Sequence, residues 1–361
     1  MLGTRRRLAV LAEGSFTPTD AKTAVGVLRY RGDEVAAVID STRAGRTALE
    51  CAGTGGATPV VRDVAEAAAR GADSLLVGIA PQGGALPEPW RVAIREALAR
   101  GWDVLAGLHE FLADDPEFAA LAARHGATLH DVRRPPAERP IAAARAAQVD
   151  ALVVLTVGSD CNVGKMTCAL ELRRELADRG VRAAFVATGQ TGIFIADEGA
   201  AVDAVPSDFV AGVVEAMVVR AARDGDVVLV EGQGAIHHPA YSGVTLGLLH
   251  GACASALVLC HAAARTDIRV ASDAAAPAIR PLAQLVRDYE AAAGWVHEAA
   301  VAGIAINTLG LDETAARSAV QRAARETGLP AADPVRFGVA PLADAIETLL
   351  ARRRSPRAAA H

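Results

Sequence analysis

The sequence predicts an α/β protein in which two parallel, doubly wound sheets form separate domains. Short apolar runs rich in Val, Ala and Leu alternate with helix-like segments along the chain. A length of 361 residues suits two domains. The composition is 52% hydrophobic but only 4% aromatic, so aliphatic side chains must build the cores, as is typical of parallel sheets covered by helices.

The N-terminal part of the chain is predicted to be a Rossmann-like domain, because strands and helices alternate from its start. The predicted strands are Arg7–Leu11, Glu34–Ile39, Ser74–Val77 and Val104–Ala106, and the predicted helices are Asp63–Arg70 and Pro89–Arg100. Polar and glycine residues follow three of these strands, at Gly14–Phe16, Asp40–Ser41 and Pro81–Gly84. They either line a ligand crevice or form ordinary turns. Since no G-x-G-x-x-G motif follows the first strand, dinucleotide binding is not predicted.

The segment Arg133–Pro140, rich in proline and charge, is predicted to link the domains, which are assigned to residues 1–138 and 139–361. The second domain continues the alternation of strands and helices. Its predicted strands are Ala151–Val157, Ala183–Ala187, Val227–Val230, Ala256–Cys260 and Val301–Ile306. Its predicted helices are Cys168–Arg179, Phe209–Arg223, Ala278–Ala292, Glu313–Glu326 and Leu342–Arg353.

The run from Gly158 to Lys165 matches the phosphate-binding pattern G-x-x-x-x-G-K and lies between a predicted strand and a predicted helix, as that motif requires. Its glycines let successive backbone N–H groups face one anion, the helix N-terminus adds partial positive charge, and Lys165 adds a full charge. The alternative is an ordinary strand-to-helix turn. The pattern predicts a P-loop NTPase-like, doubly wound C-terminal domain. The predicted phosphate-binding residues are Gly158, Ser159, Asp160, Cys161, Asn162, Val163, Gly164, Lys165, Met166 and Thr167.

Two further strand-end loops are predicted to complete the site. Glu231–Gly234 places a carboxylate at the tip of a buried strand, where it could hold Mg²⁺ together with Thr167. Thr188–Gly192 combines two glycines with small polar side chains, which suits an anion-binding or substrate-orienting loop, with a flexible turn as the alternative. The predicted substrate contacts from these loops are Thr188, Gln190, Thr191 and Gln233.

Two single positions carry alternative interpretations. Asp208 stands before an apolar helical run, and it either supports the start of that helix or binds a metal or an amine. His237 follows the Glu231–Gly234 loop and is a candidate general base. It is followed by His238, and since adjacent histidines point in different directions, at most one is expected to act.

Basic and nucleophilic side chains add two more candidates. Arg265 could clamp a carboxylate or phosphate with its planar guanidinium, and Arg269 competes for that role. Cys161 lies near a helix N-terminus and Lys165, which would favour a thiolate. A nucleophilic role for this cysteine is one interpretation, and a small loop residue is the other.

Charge and composition exclude several functional classes. A formal net charge of -5 argues against nucleic-acid binding. The five cysteines contain no C-x-x-C pair, so neither a zinc site nor a disulfide framework is indicated. No apolar run reaches membrane-spanning length, and the basic N-terminus lacks the apolar core of a signal peptide. The protein is therefore expected to be cytoplasmic, with no nucleic-acid or membrane partner. A small-molecule substrate and a homo-oligomeric state are also expected.

Three motifs, Gly158–Thr167, Ala187–Gly192 and Val230–Gly234, stand at the ends of predicted strands. Together they resemble the DUF1611 family, which is described as D-glutamate N-acetyltransferase-like, and the order Gly-Lys-Met-Thr is that family's own. The first domain is similar to the family's Rossmann-like domain, with Asp40 in a recognisable place. More distantly, the P-loop resembles that of dethiobiotin synthetase, whose loop binds ATP. Asn307 stands where that fold often recognises the base.

The resemblance implies acetyl transfer from acetyl-CoA to the amine of an acidic amino acid such as D-glutamate. The P-loop would cradle phosphates of CoA, Glu231 or His237 would act as base, and Arg265 would hold a substrate carboxylate. The alternative is an ATP- and Mg²⁺-dependent kinase or ligase acting on a small carboxylate or amino acid, with Lys165 stabilising the phosphoryl group. Met166 cannot supply the usual Mg²⁺ hydroxyl, which Thr167 would have to provide. A nucleotide-binding regulatory module is a second alternative.

Overall fold

The computed structural model describes residues 6–79, 86–270 and 275–358, which form two compact units. The first unit extends to Pro135 and also contains Gln190–Ala204, and the second comprises Pro136–Gly189 and the residues from Val205 onward. The prediction divides the chain into two continuous segments and does not assign residues 190–204 to the first unit. Local sequence patterns show where a helix lies along the chain, but they do not show which core it packs against.

The first unit is built on a parallel sheet in which every strand is reached by a crossover connection. Its strands are Leu8–Leu11 (β1), Val35–Ile39 (β2), Val60–Val61 (β3), Ser74–Val77 (β4), Asp103–Ala106 (β5) and Leu129–Asp131 (β6). Its first helices are Lys22–Tyr30 (α1), Ala48–Ala52 (α2), Val64–Ala69 (α3), Glu88–Ala99 (α4) and Pro116–His125 (α5). The strand order is β3-β2-β1-β4-β5-β6. Every residue of β1, β2 and β4 is buried, which explains their continuous apolar runs.

The second unit holds the P-loop at the centre of its own parallel sheet. Its strands are Leu152–Gly158 (β7), Ala183–Val186 (β8), Val227–Val230 (β9), Ala256–Ala262 (β10), Ala300–Asn307 (β11) and Ala331–Ala332 (β12), in the order β12-β11-β10-β7-β9-β8. In register, Gly158 pairs with Cys260 on one side of β7, and Leu155 pairs with Val230 on the other. The loops after β7, β9 and β10 therefore emerge at one edge of the sheet, where doubly wound folds bind ligands.

Seven helices of the described residues follow these strands along the chain: Lys165–Asp178 (α6), Gln190–Ala196 (α7), Ser207–Ala221 (α8), Ser242–Ala252 (α9), Leu282–Gly294 (α10), Glu313–Thr327 (α11) and Ala340–Ala358 (α12). The predicted α/β class is confirmed, with a Rossmann-like first domain and a P-loop second domain. None of the described helices is both long and apolar enough to cross a membrane.

Two helix starts differ from the predictions for physical reasons. Helix α6 begins at Lys165 and not at Cys168, because Gly164 adopts a left-handed φ of 106° that ends the loop there. Helix α10 begins after Pro281, since a proline in the interior would remove a hydrogen bond and clash with the preceding turn. Pro81–Gly84, predicted to line the first crevice, lies outside the described residues.

The predicted loop Thr188–Gly192 is wrong in its second half, because α7 begins at Gln190. Two glycines and short polar side chains read locally as a turn. The helix is stabilised instead by tertiary burial, since Ile193 and Phe194 are 5% and 1% exposed and Phe194 belongs to the apolar core of the first unit.

Candidate active site

The P-loop connects the buried end of β7 to the start of α6. Asn162 and Gly164 both have left-handed φ angles, of 57° and 106°. Such angles turn successive backbone N–H groups toward the inside of the loop. The first-turn N–H groups of α6 have no partner within the helix, and they add the partial positive charge of a helix N-terminus. The loop therefore has the backbone geometry of an anion cradle.

Lys165 is buried at the base of this cradle. Its Nζ donates a hydrogen bond to the carbonyl oxygen of Asp160 at 2.8 Å. Burial lowers the pKa of the ammonium, whereas the charges of Cys161, Cys260, Asp160 and Glu231 raise it. A bound phosphate would provide the anionic partner that a buried cation requires.

Asp160 and Arg265 hold the P-loop to the loop after β10. The Asp160 carboxylate is fully buried, and its Oδ1 accepts a hydrogen bond from the Cys161 N–H at 2.6 Å. Its Oδ2 accepts from Arg265 Nη1 at 2.9 Å and from the Arg269 N–H at 3.0 Å. The same Arg265 nitrogen donates to the Cys161 carbonyl oxygen at 2.5 Å. Arg265 thus lies on the P-loop, and its binding of a substrate carboxylate stays a prediction.

Glu231, Thr188 and Gln233 come together at the tips of β8 and β9. Glu231 Oε2 accepts hydrogen bonds from the N–H groups of Thr188 and Gly189, at 3.0 and 3.1 Å. The Thr188 hydroxyl donates to the Glu231 carbonyl oxygen at 2.7 Å and accepts from Gln233 Nε2 at 3.2 Å. The carboxylate is therefore fixed in orientation by the neighbouring strand.

Gly232 brings this strand tip against the P-loop lysine. A methyl group added at Gly232 would lie 1.7 Å from the Thr156 carbonyl oxygen and 3.1 Å from Lys165 Cδ. The Gly232 N–H also donates to the Thr156 hydroxyl at 3.0 Å. Only glycine allows the loop after β9 to approach β7 this closely, which places Glu231 beside the cradle.

Gln190 and Thr191 belong to the first unit, where they lie on α7. The Thr191 hydroxyl shares a 2.8 Å hydrogen bond with the Thr23 hydroxyl of α1. The Gln190 side chain packs against Gly107, since a methyl group there would lie 2.0 Å from Gln190 Oε1. These contacts account for both side chains within that unit, and their substrate contacts stay predictions.

The two adjacent histidines have different partners. His237 Nε2 lies 3.1 Å from Asp288 Oδ2, and burial together with Arg280 lowers the pKa of this imidazole. His238 is 3% exposed, accepts the Ala240 N–H at Nδ1 and donates from Nε2 to the Arg269 carbonyl oxygen. His238 Nε2 also lies 3.9 Å from Asp160 Oδ1, so this second histidine is the one beside the P-loop.

Two side chains that contact the P-loop were missed by sequence reasoning. The fully buried Tyr289 hydroxyl donates to the Gly158 carbonyl oxygen at 2.7 Å and accepts from the Ile236 N–H at 3.2 Å. A tyrosine in an Ala-rich helix gives no local signal for this role. His261 Nδ1 lies 2.9 Å from Ser159 Oγ, and burial and then Arg265 lower the pKa of His261 to about 4. Its place directly after the predicted strand Ala256–Cys260 was the available signal.

Four predicted site residues take no part in the hydrogen bonds described above: Asp208, Asn307, Met166 and Thr167. Asp208 is exposed in the first turn of α8. Asn307 ends β11, and its Oδ1 accepts the Leu309 N–H at 3.0 Å. Met166 and Thr167 follow Lys165 in α6 and are half-buried. A magnesium role for Thr167 and base recognition by Asn307 stay predictions.

The chain matches two domains of one protein family. The DUF1611 P-loop domain matches residues 140–343, and the DUF1611 N-terminal Rossmann-like domain matches residues 41–135; both are described as domains of unknown function. The chain belongs to the DUF1611 family. A crystal structure of a DUF1611 family protein from Anabaena variabilis ATCC 29413 superimposes with a TM-score of 0.90 at 39% identity, over 95% of this chain and 99% of that one.

Two curated relatives carry a functional name. A protein of Tritonibacter scottomollicae named D-glutamate N-acetyltransferase is 37% identical over 326 residues, which is 90% of this chain and 94% of that protein. A protein of Pseudoalteromonas sp. with the same name is 36% identical over 276 residues, or 76% of this chain and 82% of that protein. The prediction of an enzyme of the transferase class is confirmed by these relatives.

Proposed function

We propose that this DUF1611 protein is an N-acetyltransferase that moves an acetyl group from acetyl-CoA to the amine of an acidic amino acid such as D-glutamate. The observation that carries the proposal is the 37% identity, over 90% of the chain, to a protein named D-glutamate N-acetyltransferase. The coverage includes both domains, so the similarity is not confined to the widespread P-loop motif.

The P-loop fits the phosphates of the donor. CoA carries a pyrophosphate and a 3′-phosphate, and either group suits a cradle formed by backbone N–H groups and the buried ammonium of Lys165. Bound acetyl-CoA would supply the thioester that makes the acetyl group reactive. The chain would hold the donor through residues 158–165 and the first turn of α6.

Acetyl transfer also needs a base for the substrate ammonium and donors for the oxyanion. His237 suits the first role because its lowered pKa leaves a neutral imidazole near pH 7. Glu231 is the other candidate, as an oriented carboxylate beside the cradle. Backbone N–H groups of the glycine-rich loop at residues 231–234 suit the second role, because the P-loop N–H groups are assigned to the donor phosphates. Arg265 donates from Nη1 to Asp160 and Cys161, and a guanidinium carries further N–H donors that suit a substrate carboxylate.

The decisive experiment offers the purified protein acetyl-CoA with D-glutamate, L-glutamate, D-aspartate or D-alanine. Free CoA thiol is measured in parallel with the N-acetyl product by mass spectrometry, with and without EDTA. We expect product with D-glutamate at an EDTA-independent rate. Separate reactions with ATP and Mg²⁺ test the kinase or ligase alternative. Substrate-dependent ADP release without any N-acetyl product would overturn the acetyltransferase proposal in favour of phosphoryl transfer.

A further inference from the structure

The rings of His237 and His238 differ in how open they are to a small molecule. The side chain of His237 is 20% exposed, and that of His238 is 3% exposed. Both ring nitrogens of His238 have protein partners, the Ala240 N–H at Nδ1 and the Arg269 carbonyl oxygen at Nε2. Of the two histidines, His237 is therefore the one that a substrate can reach and that can exchange a proton with it.

Asp288 determines which nitrogen of His237 carries the proton. Asp288 Oδ2 lies 3.1 Å from Nε2 of the ring. At this distance two lone pairs would repel each other, so in the neutral ring the proton lies on Nε2 and faces the carboxylate. The lone pair that accepts a further proton is then on Nδ1. A carboxylate orients a catalytic histidine in the same way wherever a base is held by a third group.

Helix α10 supports both the ring of His237 and the backbone that leads into it. Asp288 lies in the second turn of α10, and the next residue, Tyr289, is fully buried. The Tyr289 hydroxyl accepts a hydrogen bond at 3.2 Å from the N–H of Ile236, the residue before His237. One turn of a packed helix therefore fixes the position of this histidine, which suits a group that has to meet a substrate in one geometry.

The two charges beside His237 act on it in opposite directions. Burial lowers the pKa of the imidazole, and Arg280 lowers it too, whereas Asp288 raises it. Arg280 Nη1 lies 3.1 Å from the same Asp288 Oδ2 that faces the ring. Arg280 therefore limits how strongly Asp288 stabilises the imidazolium, and the ring stays neutral near pH 7, as a base requires.

We propose that Asp288 is a positioning residue that holds His237 with its proton on Nε2, so that Nδ1 is the atom that takes a proton from the acceptor amine. This role rests on the proposed acetyltransferase function, and it specifies the base, its reacting atom and its support. The contacts that carry it are made with residues 280–288 and leave the P-loop to the donor phosphates.

His237 is restored at the end of each acetyl transfer. Its Nδ1 takes one proton from the acceptor ammonium, which leaves a neutral amine. The amine nitrogen forms a bond to the acetyl carbonyl carbon, and the bond from that carbon to the CoA sulfur breaks with its electron pair going to sulfur. The second proton lost by the nitrogen goes to the CoA thiolate, and His237 returns its own proton to the solvent.

Steady-state kinetics with acetyl-CoA and D-glutamate test the role of Asp288. Asp288→Asn should lower kcat by about 10- to 100-fold, with KM values for both substrates within about twofold of wild type. Asp288→Glu keeps the carboxylate and should restore part of kcat. The matched control is Asp226→Asn, because Asp226 is also a half-buried carboxylate paired with an arginine, and it lies at the opposite end of β9 from His237. This control should keep the wild-type kcat.

The pH dependence of kcat separates a positioning role from a structural one. Activity falls as the pH drops and the base becomes protonated, so a lower pKa of His237 moves this acidic limb to lower pH. Asp288→Asn removes the group that raises the pKa of His237 and should move the limb to lower pH. Arg280→Gln removes a group that lowers this pKa and should move the limb to higher pH. A structural defect alone would not shift the two variants in opposite directions.

The tautomer of His237 is measured without any need for activity. In protein labelled with ¹⁵N-histidine, the resonances of His237 are assigned by their absence from His237→Gln. They should show the proton on Nε2 in the neutral ring of wild type and a mixture of tautomers in Asp288→Asn. If Asp288→Asn does not fold, the wild-type tautomer and the shift in Arg280→Gln still decide.

The outcomes distinguish the role of Asp288 from the proposed function. Wild-type kcat in Asp288→Asn, an acidic limb that moves in neither variant, or a wild-type proton on Nδ1 would each overturn the role of Asp288 and leave the acetyltransferase proposal standing. If wild type forms no N-acetyl product, the proposed function is wrong, and the catalytic role of the pair is wrong with it, whichever tautomer the spectrum shows.

Discussion

In both parallel sheets of this protein, the first strand lies between two later strands, but the loops that follow these two first strands carry different side chains. In the first unit, the loop after β1 stands between β2 and β4, as the loop after β7 stands between β9 and β10 in the second. Phe16 is fully buried in the first loop, and its N–H donates to the buried carboxylate of Asp40 at 3.1 Å. The corresponding loop of the second unit presents the buried ammonium of Lys165.

The difference teaches that topology supplies a crevice and that loop chemistry decides whether it binds an anion. In the first unit the loop after β1 contacts the buried carboxylate of Asp40, whose negative charge would repel a phosphate. Asp40 accepts a further hydrogen bond from the Thr42 N–H at 3.0 Å, which makes it a structural residue. The corresponding loop of the second unit has the buried ammonium of Lys165, so the proposed donor site belongs to this crevice alone.

The largest expected effect comes from removing the cation. Lys165→Ala should weaken CoA binding by about 100-fold, which is about 3 kcal/mol, because a charged contact to phosphate is lost within a buried site. Isothermal titration calorimetry measures this directly. Lys22→Ala, which removes the same residue type from α1 of the first unit, should leave the affinity unchanged. Equal affinity of Lys165→Ala and wild type would remove the P-loop from the donor site.

The next largest effect is expected from Gly232, where the loop after β9 approaches the backbone of β7. Gly232→Ala should destabilise the second unit by about 3 kcal/mol, because the added methyl group would meet the Thr156 carbonyl oxygen, which belongs to a central strand. The equivalent change after β4, Gly78→Ala, meets mainly side-chain carbons of Val10 and Ala24 and should cost less. Urea unfolding measures both. Gly243→Ala, with open space around it, serves as control, and an equal loss in all three variants would contradict the contact argument.

Asp40→Asn tests the structural role of the first crevice. The two carboxylate oxygens of Asp40 accept hydrogen bonds from the Phe16 and Thr42 N–H groups. In Asp40→Asn an NH₂ group replaces one of these oxygens and cannot accept, so we expect the free energy of unfolding to fall by about 1–3 kcal/mol. The Michaelis constant for acetyl-CoA should not change. Asp33→Asn removes the same charge from an exposed site of the first unit and should alter neither quantity. A weakened donor affinity in Asp40→Asn would show that both crevices take part in donor binding.

Over any single pH unit, the smallest effect is a pH dependence of stability located in the second unit. The pKa of His261 is lowered to about 4 by burial and Arg265, whereas an unfolded chain titrates near 6.5. Between these values the unfolded state binds more protons, so stability should fall as the pH drops from about 6.5 toward 4, by no more than about 1.4 kcal/mol per pH unit. Thermal melts across this range should show a shallower slope for His261→Gln. An unchanged slope would assign the dependence to other groups.

Much of the site was readable from the sequence because its chemistry is local. The glycine spacing of residues 158–165 and the carboxylate at the tip of β9 are short-range patterns, and the parallel sheet then brings Glu231 and Thr188 together. Tyr289 could not be found this way, because its contact with Gly158 spans the fold and follows from how α10 packs. The sequence also could not show which of His237 and His238 lies beside the P-loop, because both follow the same strand.

By itself, the sequence determined the α/β class, the positions of most strands along the chain and the P-loop pattern, because hydrophobic periodicity and loop glycines act over a few residues. The tertiary structure decided which charges neutralise one another and which core each helix joins. Arg265 forms an ion pair with Asp160, and Phe194 of α7 packs in the core of the first unit. In both cases the partners are far apart in the chain. Burial makes such pairings energetically decisive, and burial is a property of the folded chain.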